Sequence, residues 1–133
     1  MEFPTLVGKS IAKLAPADPP GPCAFAFSDG SHILVECDWR IVHSGRVALA
    51  AKDHRQLFGR QEPLDVGREG AALLAGKAVT RASLRDTGDL VVEFEGDIRL
   101  ETFTDSCGYE SCTIDLVDGS KVVVTGGGAI VAF

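Results

Sequence analysis

Three glycine-containing turn clusters, each set between runs of apolar residues, constrain this chain more than any other feature. Ser28-Asp29-Gly30-Ser31 separates Cys23 to Phe27 (CAFAF) from His32 to Cys37 (HILVEC), and Glu95-Gly96 separates Asp89 to Phe94 from Asp97 to Phe103. Asp118-Gly119-Ser120 divides Cys112 to Val117 from Lys121 to Thr125. Such clusters supply the positive φ of a tight hairpin turn, so each pair of runs reads as two antiparallel strands. In the second hairpin Leu90, Val92 and Phe94 share one parity, as do Ile98, Leu100 and Thr102. That leaves Glu93, Glu95, Arg99 and Glu101 for the opposite, polar face. Gly126 to Gly128 then turn the chain into a last apolar strand, Ala129 to Phe133.

Between the strand-rich halves the pattern changes. Asp65 to Gly76 (DVGREGAALLAG) carries a capping residue, an acid in the first turns, an apolar run and a terminal glycine, and predicts a short helix. Ala50 to Phe58, stopped by Gly59, is a second helical or turn segment, and Pro63 bars one helix across both. Pro16 to Pro22 reads as a surface loop. Leu6-Val7-Gly8-Lys9-Ser10-Ile11 recurs as Leu74-Ala75-Gly76-Lys77-Ala78-Val79, 68 residues on, and each copy precedes a hairpin. The segments about 5–37 and 73–103 therefore read as related halves. The 133 residues, 45% of them apolar, suit one domain over 1–133. The expected fold is mainly β with some α: an antiparallel sandwich, roll or partly open barrel, with one or two short helices between the halves.

The net charge of −6 argues against the basic footprint of a nucleic-acid binder. It conceals an uneven distribution: residues 1–39 carry −3, residues 40–85 carry +5, residues 86–118 carry −9 and residues 119–133 carry +1. Ten acids fill the third segment, with only Arg99 opposing them. They predict a negative sheet face able to steer a cationic partner, or simply the charged outer face that a half-exposed sheet needs for solubility. The basic segment, with Arg40, Arg46, Lys52, Arg55, Arg60 and Arg68, is expected to pair with this acidic half.

Catalytic and metal-binding patterns are missing. Cys23, Cys37, Cys107 and Cys112 show no zinc-ligand spacing and read as free thiols, and His32, His43 and His54 lack partners at ligand spacing. There is no G-x-S-x-G, and the glycine run precedes a strand where a phosphate loop precedes a helix. No cofactor is expected. The first ten residues lack the basic region and apolar core of a secretory signal, and no stretch approaches a membrane span, so the expectation is a cytoplasmic protein without membrane contact.

The segments Asp53-His54-Arg55-Gln56-Leu57-Phe58-Gly59, Pro63-Leu64-Asp65, Leu73-Leu74-Ala75-Gly76, Thr87-Gly88-Asp89-Leu90, Gly108-Tyr109-Glu110 and Gly126-Gly127-Gly128-Ala129 resemble a family of small actinobacterial proteins of unknown function. The resemblance covers roughly residues 30–133. In that family a Trp usually follows the Tyr-Glu pair two residues on; Ser111-Cys112 stands there in this chain, so the role of that Trp does not transfer. The family is similar in context to immunity proteins of polymorphic toxins. Together with the acidic hairpin face of residues 86–118, the expected function is a small non-enzymatic binding module of that sort, meeting a basic protein partner, with Glu93, Glu95, Glu101, Tyr109, Glu110 and Trp39 as contact residues. Two further expectations are a ligand-binding or enzymatic barrel with Tyr109, Glu110 and His54 around a pocket, and a module that self-associates, as a homodimer, through its last strand.

Overall fold

A computed structural model describes residues 1–18 and 21–133. Among the described residues eleven strands form two antiparallel sheets packed as a sandwich, with one α-helix and no closed barrel. In chain order the strands are β1 (Ile11–Pro16), β2 (Cys23–Phe27), β3 (His32–Val35), β4 (Asp38–His43) and β5 (Arg46–Ala50). After helix α1 (Val66–Leu74) come β6 (Val79–Leu84), β7 (Leu90–Phe94), β8 (Ile98–Phe103), β9 (Cys112–Asp115), β10 (Lys121–Val124) and β11 (Ile130–Ala132). One sheet has the order β1-β2-β3-β9-β10-β11 and the other β5-β4-β8-β7-β6. The six-stranded sheet thus joins two three-strand meanders, one from each half of the chain, and the five-stranded sheet joins the β4–β5 hairpin of the first half to the β6–β8 meander of the second.

The three expected hairpins form as β2–β3, β7–β8 and β9–β10, and the last strand pairs with β10. Leu90, Val92, Phe94, Ile98, Leu100 and Thr102 are all buried, as their parity requires. One core joins the sheets: Phe25, Ile33, Val35 and Ile114 from one face Ile41, Leu90, Val92 and Leu100 from the other. Trp39 of β4 meets Phe25 of β2 edge-on across the gap, 5.1 Å between ring centroids at 83°. Strands β4 and β5 lie where the sequence showed no strand signal, for two reasons. A register shift between Ile41 and Val42 breaks the alternation, and β5 is an edge strand with its first three residues exposed. Their two-residue turn, Ser44-Gly45, has positive φ at both positions.

The halves match in local detail. Lys9 N–H donates to Leu6 O and Lys77 N–H to Leu74 O, both at 3.0 Å. A register shift follows Ile11 in β1 and Val79 in β6. Ser28 and Glu95 do the same work: each backbone N–H donates to the carbonyl of residue 10 or 78, and each side chain accepts that residue's N–H in return.

Two sheet edges are covered by exchange. The segment before β1 lies along β6, through Phe3 N–H to Ala82 O at 2.8 Å and Val79 N–H to Lys9 O at 2.7 Å. The segment before β6 is α1, which packs against β1. Asp65 caps that helix, its carboxylate accepting Arg68 N–H at 3.1 Å, and Gly76 stops it with φ +70°. Ala50 to Phe58 forms only a single 3-10 turn, Ala51–Asp53, followed by loop. The proline-rich loop is described at its ends alone, Pro19 and Pro20 lying outside the described residues.

Gly67 and Gly70 give α1 its closeness to β1. A Cβ on Gly67 would stand 2.9 Å from Leu14 O and 3.0 Å from Pro16 Cδ, atoms with little freedom to retreat. Helix propensity alone makes Gly67→Ala stabilising by about 1 kcal/mol. Packing reverses the sign: the variant is expected to lose about 1–3 kcal/mol in urea denaturation, and unchanged or raised stability would refute this account of the helix contact.

Candidate functional site

The face expected to be acidic is a ladder of alternating charge. On the outer side of the five-stranded sheet Arg81 lies opposite Glu93, and Glu93 opposite Arg99; one row along, Glu101 lies opposite Arg40. Glu101 is buried, 7% exposed, with its carboxylate 3.0 Å from Arg40 Nε and 3.5 Å from Arg99 Nε. Arg81 holds Glu2 through two contacts of 3.1 and 3.2 Å, which draws the Glu2 carboxyl below the usual range. Glu101 therefore has no surface to offer a partner, and Glu93 sits half-buried between two arginines.

The other expected contact residues scatter. Glu95 is exposed but its Oε1 accepts Ala78 N–H at 2.9 Å, a turn contact. Tyr109, 83% exposed, and Glu110 lie together on the β8–β9 connection. Trp39 is 3% exposed and belongs to the core. Neither Tyr109 nor Glu110 lines any of the five described clefts, so they do not converge with His54 as a pocket-forming trio would. Of the six basic residues expected to pair with the acidic half, only Arg40 does so among the described residues; Arg55 pairs with Asp18 and Arg60 with Glu69.

A different place gathers chemistry. Where the chain crosses from β3 to β4, at Glu36-Cys37, an open cleft of about 590 Å³ runs between that crossing, the loop ends at Pro16–Ala17 and Gly21–Pro22, and the turn after β5. Pro16, Pro22, Cys23, Trp39 and Ala51 give it an apolar floor. Glu36, Asp38 and Asp105 line it, all exposed, against a single cation, Lys52. Trp39 reaches this cleft because β4 begins beside the crossing and turns its first inward residue to the core.

His54 forms the cleft's end. It is 7% exposed, and its Nδ1 accepts the N–H of Val66, the first residue of α1, at 3.1 Å. An accepting Nδ1 places the ring proton on Nε2 and gives the helix N-terminus an additional acceptor beside Asp65. His54→Ala leaves that buried amide without a partner and is expected to cost about 1–3 kcal/mol. Asn, whose Oδ1 can stand near Nδ1, should recover part of the loss in thermal melts; equal loss in both variants would sink the assignment.

Cys37 and Asp38 beside a histidine invite comparison with a thiol nucleophile, and the thiol is in the wrong state. Burial pushes Cys37 up to about 11, and burial likewise raises Cys23 and Cys112 to about 12. A thiol protonated at neutral pH is a small hydrophobe. Because the folded values lie above the ordinary value of 9.0, these thiols contribute stability below pH 9 that is lost as pH rises toward 11 to 12. All four cysteines are free and Cys107 alone is exposed. A disulfide-exchange reagent at neutral pH should label one thiol rapidly and three only on unfolding; fast labelling in the Cys107→Ser variant would contradict this.

The sequence missed the cleft because its parts lie on four separate segments. Among the described residues no three His, Cys, Asp or Glu side chains converge as metal ligands, and no helix is long and apolar enough to cross a membrane. Comparison with protein-family models, with curated proteins and with solved structures finds no match for this chain.

Proposed function

We propose that this protein is a small non-enzymatic binding module whose cleft receives a basic segment of a protein partner. One observation carries the reading: three exposed carboxylates, Glu36, Asp38 and Asp105, line a concave, apolar-floored space of about 590 Å³ that holds a single lysine. The volume lies in the range of ligand-sized sites. Carboxylates above an apolar floor suit an arginine or lysine side chain, whose aliphatic stem needs apolar contact and whose head needs an acceptor. The immunity-protein-like role keeps its acidic chemistry under this reading, with the contact site moved from the Glu93–Glu101 face to the cleft. The protonated thiol of Cys37 favours binding over covalent catalysis.

The test uses a short amidated arginine-phenylalanine peptide as probe and Trp39, the sole tryptophan, as reporter. Saturable, salt-sensitive change in Trp39 emission is expected, weakened about tenfold in the Glu36→Gln, Asp38→Asn double variant. An acidic peptide of equal length should leave the signal unchanged. Binding that ignores both carboxylates, or no binding by the basic peptide, overturns the reading.

A further inference from the structure

The charged groups that line the cleft stay apart from one another. Six ion pairs form among the described residues, and none of them includes Glu36, Asp38, Asp105 or Lys52. Register makes the separation at Lys52 a consequence of the fold. Arg40 lies opposite Ala50 in the β4–β5 ladder, so two places further on Lys52 would face Asp38 as a cross-strand partner. The 3-10 turn Ala51–Asp53 takes the chain off the ladder at that point. That turn is fixed on both sides, by Ala50 N–H donating to Asp53 Oδ2 at 2.9 Å and by Val66 N–H donating to His54 Nδ1. The acidic wall is fixed as well, through Glu36 N–H to Ser111 O at 2.8 Å and the pairing of Asp38 with Phe103. Exposed Lys52 therefore stands on one wall and the Glu36 and Asp38 carboxylates on another. His54, which ends the cleft two residues from Lys52, has a second donor to offer: its Nε2–H has no hydrogen-bond partner among the described residues.

From this arrangement we infer that the basic residue received by the cleft is a C-terminal one, its cationic side chain on the carboxylates and its chain-end carboxylate on Lys52. The inference rests on the cleft reading above and names the part of the partner that binds. A terminal arginine or lysine carries a cation and an anion on one residue, which matches a cleft that holds its own two signs apart. A basic residue inside a chain brings no counter-charge for Lys52 and meets it as a like charge. The cleft also has an end, at buried His54, and a chain that stops there needs no exit. Lys52 is thus a specificity-determining residue that selects chain ends against internal segments of the same charge.

Two peptides that differ only at the chain end test this: N-acetylated phenylalanine-arginine as the free acid and as the amide, each titrated against Trp39 emission. General electrostatics favours the amide, which lacks the negative charge, on a chain of net charge −6. The free acid is expected to bind about tenfold more tightly all the same, because a local cation receives it. Lys52→Gln should abolish that preference by weakening the acid, while the amide binds as well or better. Lys52→Arg should keep the preference. Both variants should melt as the wild type does, since the side chain is exposed. Equal binding of acid and amide, tighter binding of the amide, a preference that survives Lys52→Gln, or no signal from either peptide overturns the inference. The amidated arginine-phenylalanine peptide keeps the two readings apart. If it binds in any of those cases, only the chain-end inference falls; if none of the three peptides binds, the cleft reading beneath it falls too.

Discussion

Neither sheet of this molecule can be completed by its own half of the chain. The β1–β3 meander is extended by β9 and β10, and the β6–β8 meander by β4 and β5, so each half must cross the core to finish the other's sheet. The edge contacts repeat the exchange, with residues 1–10 along β6 and α1 against β1. Every inner face is therefore buried against strands that come from far away in sequence, and Trp39 on Phe25 is one place where the two halves interlock. A fold built this way has no half that buries its apolar surface alone. The crossings between sheets are obligatory, and they are also where the backbone leaves the ladder and opens space. The cleft lies at one of them, at Glu36-Cys37.

Electrostatics follows from the same interleaving. The segment 86–118 carries −9, yet the topology sets β4 beside β8 and β6 beside β7, so Arg40 falls opposite Glu101 and Arg81 opposite Glu93, with Arg99 across from Glu93 on its other side. Charge that is blocked along the chain becomes alternating across the sheet. What stays unbalanced is carried by residues outside the ladders, above all the acids at the chain crossings. Cross-strand neighbours decide which acids are free, and neighbours across strands are set by topology.

Much of the architecture was legible in sequence because its signals are local. Hairpin turns, strand parity, the Asp65 cap and the Gly76 stop each depend on a few adjacent residues, and all appear where expected. Strands β4 and β5 were illegible for a physical reason: one carries a bulge that breaks its period and the other is an edge whose alternate residues are not forced inward. Trp39 read as a surface aromatic because its burial depends on Phe25, a partner in the opposite sheet. Glu101 read as a free acid because Arg40, 61 residues away, is visible only through the β4–β8 pairing. The cleft shares this character, drawing on the ends of the 16–22 loop, the 36–39 crossing, the 51–54 turn and Asp105.

The internal correspondence also indicates where the halves stop resembling one another. Both β5 and β10 run into a 3-10 turn, Ala51–Asp53 in one half and Gly126–Gly128 in the other. After Gly128 the chain returns along β10 as β11, so Val122 and Val124 are buried. After Asp53 it does not return. It departs through His54 into the 55–64 loop, and β5 keeps an open edge with Val47 54% exposed. In place of a covering strand stands a loop with positive φ at Arg55, Phe58 and Gly59. The halves therefore diverge just after the 3-10 turn: one uses its chain for an added strand, the other for a loop closed by Arg60 N–H to Leu57 O at 2.8 Å and for the cap of α1, where Val66 N–H meets His54. The same topology that repeats the strands thus leaves the ends of β5 and β10 free to differ, and the cleft lies beside the end that gained no strand.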